Sequence, residues 1–136
     1  MEAPPLFTFS RNERLRQRKA FKYLFSSGKH LTVGCIRLVY TSSMPVHLQS
    51  SPLMAGVSVP KKKFKKATDR NLLKRRLREA HRQHKYLLLT DLKRKEENLV
   101  ILYIYQGKHI ASYQEVENLI VHGMNLLHKK TGLSKG

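Results

Sequence analysis

Apolar positions along this chain change period several times, and each change marks an element. Phe21, Leu24 and Phe25 stand at i, i+3 and i+4, which predicts a helix over residues 19–26. Gly28 follows as its stop. Upstream, Ser10 with Glu13 three residues later matches a capping box, so a helix is expected to begin near Arg11. Residues 31–41 are rich in Val, Ile, Leu and Tyr and read as a strand with an irregularity at Gly34 and Cys35. The serine-rich stretch 42–52, with Pro45 and Pro52, reads as loop. Leu53, Ala55, Val57 and Val59 then alternate with Met54, Gly56 and Ser58, the period of a half-buried strand that Pro60 ends.

A basic loop over 61–67 leads to Thr68 or Asp69, either a suitable N-cap, and to a helix expected to reach about Leu89. At about 100° per residue, Leu73, Leu77, Ala80 and His84 share one narrow face, with Leu87 and Leu88 at its edges. Arg70, Asn71, Lys74, Arg75, Arg78 and Arg82 share a broad arc away from it. A helix so patterned docks by one side and offers the other to a polyanion. Leu99–Tyr105 is a continuous apolar run, consistent with a central strand. Ser112 and Glu115 form a second capping box, opening a final helix whose inner face is Val116, Leu119, Ile120, Gly123 and Leu127. The order helix, strand, strand, helix, strand, helix predicts an α+β sandwich, one sheet with helices on it. There is no internal repeat.

Composition narrows the partner. Lys and Arg number 27 against 9 Asp and Glu, a net charge of +18 on 136 residues. That excess is more than solubility requires and points to a polyanion. With 40% hydrophobic residues the chain still builds a core, unlike a disordered polycation. The length fits one domain. Cys35 is the lone cysteine and can form no intrachain disulfide, which suits a reducing cytoplasm. No apolar run approaches the ~20 residues that cross a bilayer. Glu2 and the lack of an apolar segment behind it argue against a secretory signal.

The candidate chemistry is binding rather than catalysis. Lys61, Lys62, Lys65 and Lys66 precede the basic helix, and with Lys74, Arg75 and Arg76 they repel one another unless a counter-charge is supplied. Nucleic acid is the favoured partner over a merely solvated face. Asn71 reads as a first-turn residue or as a hydrogen-bonding partner for phosphate or ribose. Phe21, Phe25 and Tyr40 read as core, or as stacking platforms for single-stranded bases, and spacing does not decide between the two. The acidic residues form no cluster of the kind a two-metal nuclease needs. His81 and His84 lack further zinc ligands, Cys35 lacks a flanking base, and no glycine-rich phosphate loop is present. No catalytic and no metal-ligating residue is therefore expected. The rival classes are a ribosomal or RNA-chaperone protein, a stand-alone nuclease and a DNA-binding module.

Gly56-Val-Ser-Val-Pro-Lys-Lys, followed by Ala67-Thr-Asp-Arg-Asn-Leu-Leu-Lys-Arg-Arg-Leu-Arg-Glu, resembles the signature of the bacterial ribonuclease P protein component. Arg14 and Leu15, then Phe21, Phe25 and Gly28, then an apolar strand ending at Tyr40, agree with the family's order. The resemblance spans about residues 11–130, between an expected flexible leader over 1–10 and a basic tail over 131–136. This chain has Arg70-Asn71-Leu72 where the family commonly has Arg-Asn-Arg. It has Phe64, Lys65 and Lys66 where the preceding loop often carries Gly-Asn.

The resemblance implies a two-layer α/β sandwich with a mixed four-stranded sheet and a left-handed βαβ crossover, ribosomal-protein-like. It implies the small subunit of a ribonucleoprotein endoribonuclease whose RNA is the catalyst and which removes the 5′ leader of precursor tRNA. Arg70, Asn71, Lys74, Arg75 and Arg78 would face the catalytic RNA, within a wider basic surface that includes the loop lysines and Arg82. Phe21, Phe25, Tyr40 and Lys61 would line a cleft for the leader. The cofactor would be Mg²⁺, held mainly by RNA phosphates, with no membrane and no obligate protein partner.

Overall fold

Residues 9–133 are described by a computed structural model. Most of the expected leader, 1–8, and the end of the expected tail, 134–136, lie outside the described residues. Four strands form one mixed sheet: β1 (Lys29–Val33), β2 (Ile36–Thr41), β3 (Leu53–Ser58) and β4 (Leu99–Tyr105), in the spatial order β1-β2-β4-β3. β1 with β2 and β2 with β4 are antiparallel, while β3 runs parallel to β4. The helices are α1 (Arg18–Ser27), α2 (Ala67–His84), α3 (Tyr86–Lys95) and α4 (Tyr113–Lys130).

The stretch read as a single strand over 31–41 is a hairpin. Val33 pairs with Ile36 across a two-residue turn in which Gly34 adopts φ +54°. Glycine takes that conformation at little cost. A Cβ at Gly34 would also stand 2.8 Å from Leu119 Cδ2. The irregularity at Gly34 and Cys35 thus adds the fourth strand.

Alternating side chains divide the sheet between two apolar clusters. Ile36, Leu38, Tyr40, Ala55, Ile101 and Tyr103 pack with residues of α2, α3 and α4. Val39, Met54, Val100, Leu102 and Ile104 pack with Ala20 and Leu24 of α1 and with Leu15, Met44 and Leu48. α1 therefore covers the face opposite the other three helices. Its end approaches β2 closely, since a Cβ at Gly28 would lie 2.3 Å from Leu24 O and 3.0 Å from Val39 Cγ1.

The long basic helix differs from expectation at both ends. It begins at Ala67 with Lys66 at the N-cap, so Thr68 and Asp69 lie inside the first turn, where the Asp69 charge suits the helix dipole. It ends at His84. Lys85 interrupts it with its backbone still right-handed helical (φ −59°, ψ −22°), and α3 follows, burying Leu88, Leu89 and Leu92. The buried seam of α2 is Leu73, Leu77, Ala80 and His81. His84, expected on that seam, is half-buried at its border, with Nε2 2.8 Å from Glu117 Oε2 on α4.

His81 is 1% exposed, and its Nδ1 lies 2.9 Å from the Tyr103 hydroxyl on β4. The Phe9 ring stands 5.2 Å from the imidazole. Burial, reinforced by the Lys85 charge and opposed by Glu13, lowers the His81 pKa from 6.5 to about 3. The unfolded chain therefore takes up a proton below about pH 6.5 that the folded chain refuses until about pH 3. Stability should fall across that window as pH drops, by on the order of a few kcal/mol. Thermal melts from pH 7 to pH 4 should show the fall, and His81→Gln should flatten it. Parallel melting profiles for the two proteins would exclude a neutral buried imidazole.

Candidate nucleic-acid interface

The outer arc of α2 presents Asn71, Arg75 and Arg78 exposed, with Lys74 half-buried among them. Lys61, Lys62, Lys65 and Lys66 are exposed on the preceding loop. Two other members of the arc are engaged within the chain. Arg70 donates to the carbonyls of Phe64 at 2.8 Å and Lys65 at 2.9 Å, folding the lysine loop onto the helix start. Phe64 is itself buried, 5.8 Å from the Tyr105 ring, so the loop is pinned to the core. Arg82 grips Glu79 through two nitrogens at 2.9 and 2.6 Å. With Gln83 it draws the Glu79 carboxyl down to about 2. The half-buried Arg76 donates to the Ala111 carbonyl and ties α2 to the start of α4.

A second feature lies at the free edge of β3. Arg14 pairs with Ala55 as a parallel bridge, and Leu15 N donates to Ala55 O at 2.8 Å. The chain before α1 thereby walls a groove of about 230 Å³, with Phe21 on α1, Val57 on β3 and Arg78 on α2 as further sides. Gly56 lets this wall close: a Cβ there would stand 3.2 Å from Leu15 Cβ and 3.3 Å from Leu102 Cδ1. The wall is held by a short 3-10 turn, Arg11–Glu13, where the capping box predicts the start of a helix. Its capping box is present, the Glu13 carboxylate accepting from Ser10 N at 2.7 Å and Ser10 Oγ at 2.9 Å. The same carboxylate receives the ammonium of Lys85, whose side chain is 2% exposed. Burial alone would raise the Glu13 pKa, but the Lys85 and Ser10 bonds outweigh it and hold the carboxyl below its usual value.

The groove is basic and aromatic together. The Arg14 guanidinium stands 5.2 Å over the Phe9 ring. Burial and the Arg14 charge both draw the Arg78 guanidinium below its ordinary pKa, so two like charges face each other here. Arg16 lines the same space. Phe21 is half-buried, whereas Phe25, one turn further along α1, is 56% exposed.

Tyr40 is a correction to the sequence reading. Val39 takes the α1 side of β2, so alternation turns Tyr40 to the opposite face, where it is buried among the residues packed under α2 and α4. It does not share a space with Phe21 and Phe25. Lys61 stands exposed beyond Pro60 and is not among the residues lining the groove. Phe9, Arg14 and Arg16 were not singled out as site residues. The basic run Arg11, Arg14, Arg16, Arg18 ahead of α1 was the signal that marks them. Among the described residues, no three His, Cys, Asp or Glu side chains come together to hold a metal ion. Among the same residues, no helix is long and apolar enough to cross a membrane.

The fold, the basic arc and the aromatic groove together define an RNA-binding α+β protein. The family model described as Ribonuclease P matches residues 9–127. The ribonuclease P protein component of Porphyromonas gingivalis (strain ATCC BAA-308 / W83) is 33% identical over 117 residues, covering 86% of this chain and 84% of that protein. Its counterpart in Chlorobaculum tepidum is 32% identical over 103 residues, covering 72% and 67%. The chain belongs to the ribonuclease P protein family. Its role is accordingly in tRNA 5′ processing together with an RNA subunit, and the ribosomal or chaperone alternative is not favoured. Solved structures agree on the fold. The Staphylococcus aureus RNase P protein gives a TM-score of 0.67 at 20% identity, covering 85% of this chain and 94% of that one. The Thermotoga maritima RNase P protein gives 0.66 at 24%, covering 84% and 96%.

The Glu13–Lys85 pair yields a stability test. Lys85→Ala leaves a carboxylate unpaired in a mostly buried position and should cost about 3–5 kcal/mol in denaturant unfolding. The double change Glu13→Leu with Lys85→Met should recover most of that loss. Additive losses in the double variant would show that the pair is not coupled.

Proposed function

We propose that this chain is the protein subunit of a ribonucleoprotein in which RNA performs the cleavage, and that it contacts both that RNA and the 5′ leader of precursor tRNA. One observation carries the leader assignment: Arg14 and Arg78 line the same groove as Phe9 and Phe21, near enough for the Arg14 charge to act on Arg78. Two guanidiniums so placed repel until an anion enters. A single-stranded nucleotide meets the whole arrangement, its phosphate between the arginines and its base on an aromatic face. The convex arc of Asn71, Lys74, Arg75 and Arg78, with the loop lysines, has no such enclosure and suits the phosphates of a folded RNA. Arg78 stands where the two surfaces meet. Arg70 and Arg82 act less directly, the first by shaping the lysine loop and the second through Glu79.

Mg²⁺ in this reading rests on RNA phosphates, and the protein's cations lower the repulsion between the strands brought together around it. The working location is the cytoplasm, with no obligate protein partner.

Leader binding is tested by pairing two substrates. In holoenzyme, Phe21→Ala and Phe25→Ala should each weaken precursor tRNA binding by ~1–3 kcal/mol per lost stack, with mature tRNA little affected. Phe25→Ala should leave the melting temperature nearly unchanged because its ring is exposed. Phe21→Ala should lower it as well, toward but short of the ~3–5 kcal/mol of a fully buried ring. Equal losses for both tRNAs would reject the leader role and leave the aromatics as packing.

The arc is tested by salt. Affinity for the RNA subunit should fall by orders of magnitude between ~50 and ~200 mM salt. Replacing Lys74, Arg75 and Arg78 with alanine should shallow the log–log slope by about 2–3. A slope unchanged by the triple replacement would place the RNA subunit elsewhere on the protein.

A further inference from the structure

We propose that Arg37 is a phosphate contact on the open part of the sheet, extending the groove across the strands. The inference rests on the leader-groove reading above and adds a residue outside the groove lining.

Thr32, Arg37, Ile104 and Ser58 lie in register across all four strands: Thr32 opposite Arg37, Arg37 opposite Ile104, Ile104 opposite Ser58. Arg37 is two residues from Val39, which packs against the end of α1, so this row belongs to the α1 side of the sheet. α1 packs with Val39, Met54, Val100 and Leu102, and the cover thins at Ile104, the most exposed buried residue of that cluster at 8%. Beyond it Thr32 is exposed, and Arg37 and Ser58 are half-buried. The row is a shelf with a guanidinium near its middle and a hydroxyl at each end.

The Arg37 Nε is buried without a hydrogen-bond partner. Among the described residues, no carboxylate is paired with its guanidinium. A buried donor left unsatisfied destabilises the fold, and an apolar residue of similar size would be the more stable occupant. Folding alone therefore gives no reason for an arginine here. An arriving acceptor does. Phosphate matches a guanidinium in charge and planar geometry, and the Thr32 and Ser58 hydroxyls can donate to the same backbone. Ser58 is two residues along β3 from Gly56 and on the same face, and Gly56 lines the groove with Phe21. Neighbouring strands are about 4.8 Å apart, so Arg37, two strands from β3, lies roughly 10 Å from the groove edge. A single strand held at Phe21 passes over Arg37 with its next nucleotides.

The test uses reconstituted holoenzyme with Arg37→Met, Arg37→Lys and, as a reference, Phe21→Ala. Arg37→Met should melt above the wild type, because the orphaned donor is gone. It should also bind leader-bearing precursor tRNA roughly tenfold more weakly, with a salt slope shallower by about one and mature tRNA unaffected. Arg37→Lys should keep part of the affinity and the full slope. If Phe21→Ala loses precursor preference while Arg37→Met keeps it, the shelf is overturned and the groove stands. If neither variant loses preference, both readings fall. A lowered melting temperature for Arg37→Met with equal losses for both tRNAs overturns the shelf by making Arg37 structural.

Discussion

β4 is buried at all seven positions, and that burial dictates the architecture around it. A strand flanked by β2 and β3 has its backbone paired on both edges, but its two faces still need cover. At about 1.5–3 kcal/mol for each fully buried large apolar side chain, this strand is a major source of apolar stabilisation. Covering both faces requires α1 on one side and α2, α3 and α4 on the other. Two of its residues carry hydroxyls that burial must also satisfy. Tyr103 meets His81, and Tyr105 donates to the His109 carbonyl while accepting from Ala111 N at 3.0 Å. Those bonds fix the register of α2 and the path of the chain into α4. The position of the basic arc is thus set from the core outward.

Four acidic residues are engaged by side chains within the fold. Glu13, Glu79, Asp91 and Glu117 each pair with a basic or histidine side chain, at Lys85, Arg82, Arg94 and His128, and His84 respectively. Asn71, Arg75 and Arg78 are left with solvent, and the loop lysines beside them have the same exposure. A net charge of +18 works against compactness through self-repulsion. RNA relieves that repulsion when it binds, so binding and folding are linked: any ligand that prefers the folded chain stabilises it by mass action.

The pattern of the sequence was most informative where one face alone is buried or a cap is explicit. Most of the seam of α4 (Val116, Ile120, Gly123 and Leu127) and its Ser112 cap, with Glu115 N donating to Ser112 Oγ at 3.2 Å, followed from spacing, while Met124 completes the seam and Leu119 is only half-buried. Tyr40 did not, because β2 is buried on both faces along most of its length, five of its six residues being buried and Arg37 the exception. Alternation carries no information about which face is which when both are apolar. The hairpin at Gly34 was hidden for a different reason: apolar residues stand on both sides of the turn, at Leu31, Val33 and Ile36, and the turn Gly34-Cys35 lacks the usual asparagine or aspartate signal. The break after His84 was hidden because Lys85 keeps helical dihedrals and no glycine or proline stands nearby. The leucine periodicity runs through it uninterrupted.

The basic arc and the aromatic groove depend on the fold in different ways. The α2 arc is a local object: its residues fall within one helix, and their arrangement follows from helical geometry. The groove is assembled from chain segments far apart in sequence, with Arg14 and Phe21 before the sheet, Val57 in its edge strand and Arg78 on the helix beyond. Its wall is held by Glu13 reaching Lys85, a separation of 72 residues, and by Ser50 Oγ donating to Asn12 O at 2.7 Å. Loosening the chain before α1 therefore removes the groove while α2 retains its charge pattern. On the proposed reading, affinity for structured RNA and discrimination in favour of an extended leader are then separable properties of one protein. The buried Glu13–Lys85 pair bears on the second far more than on the first.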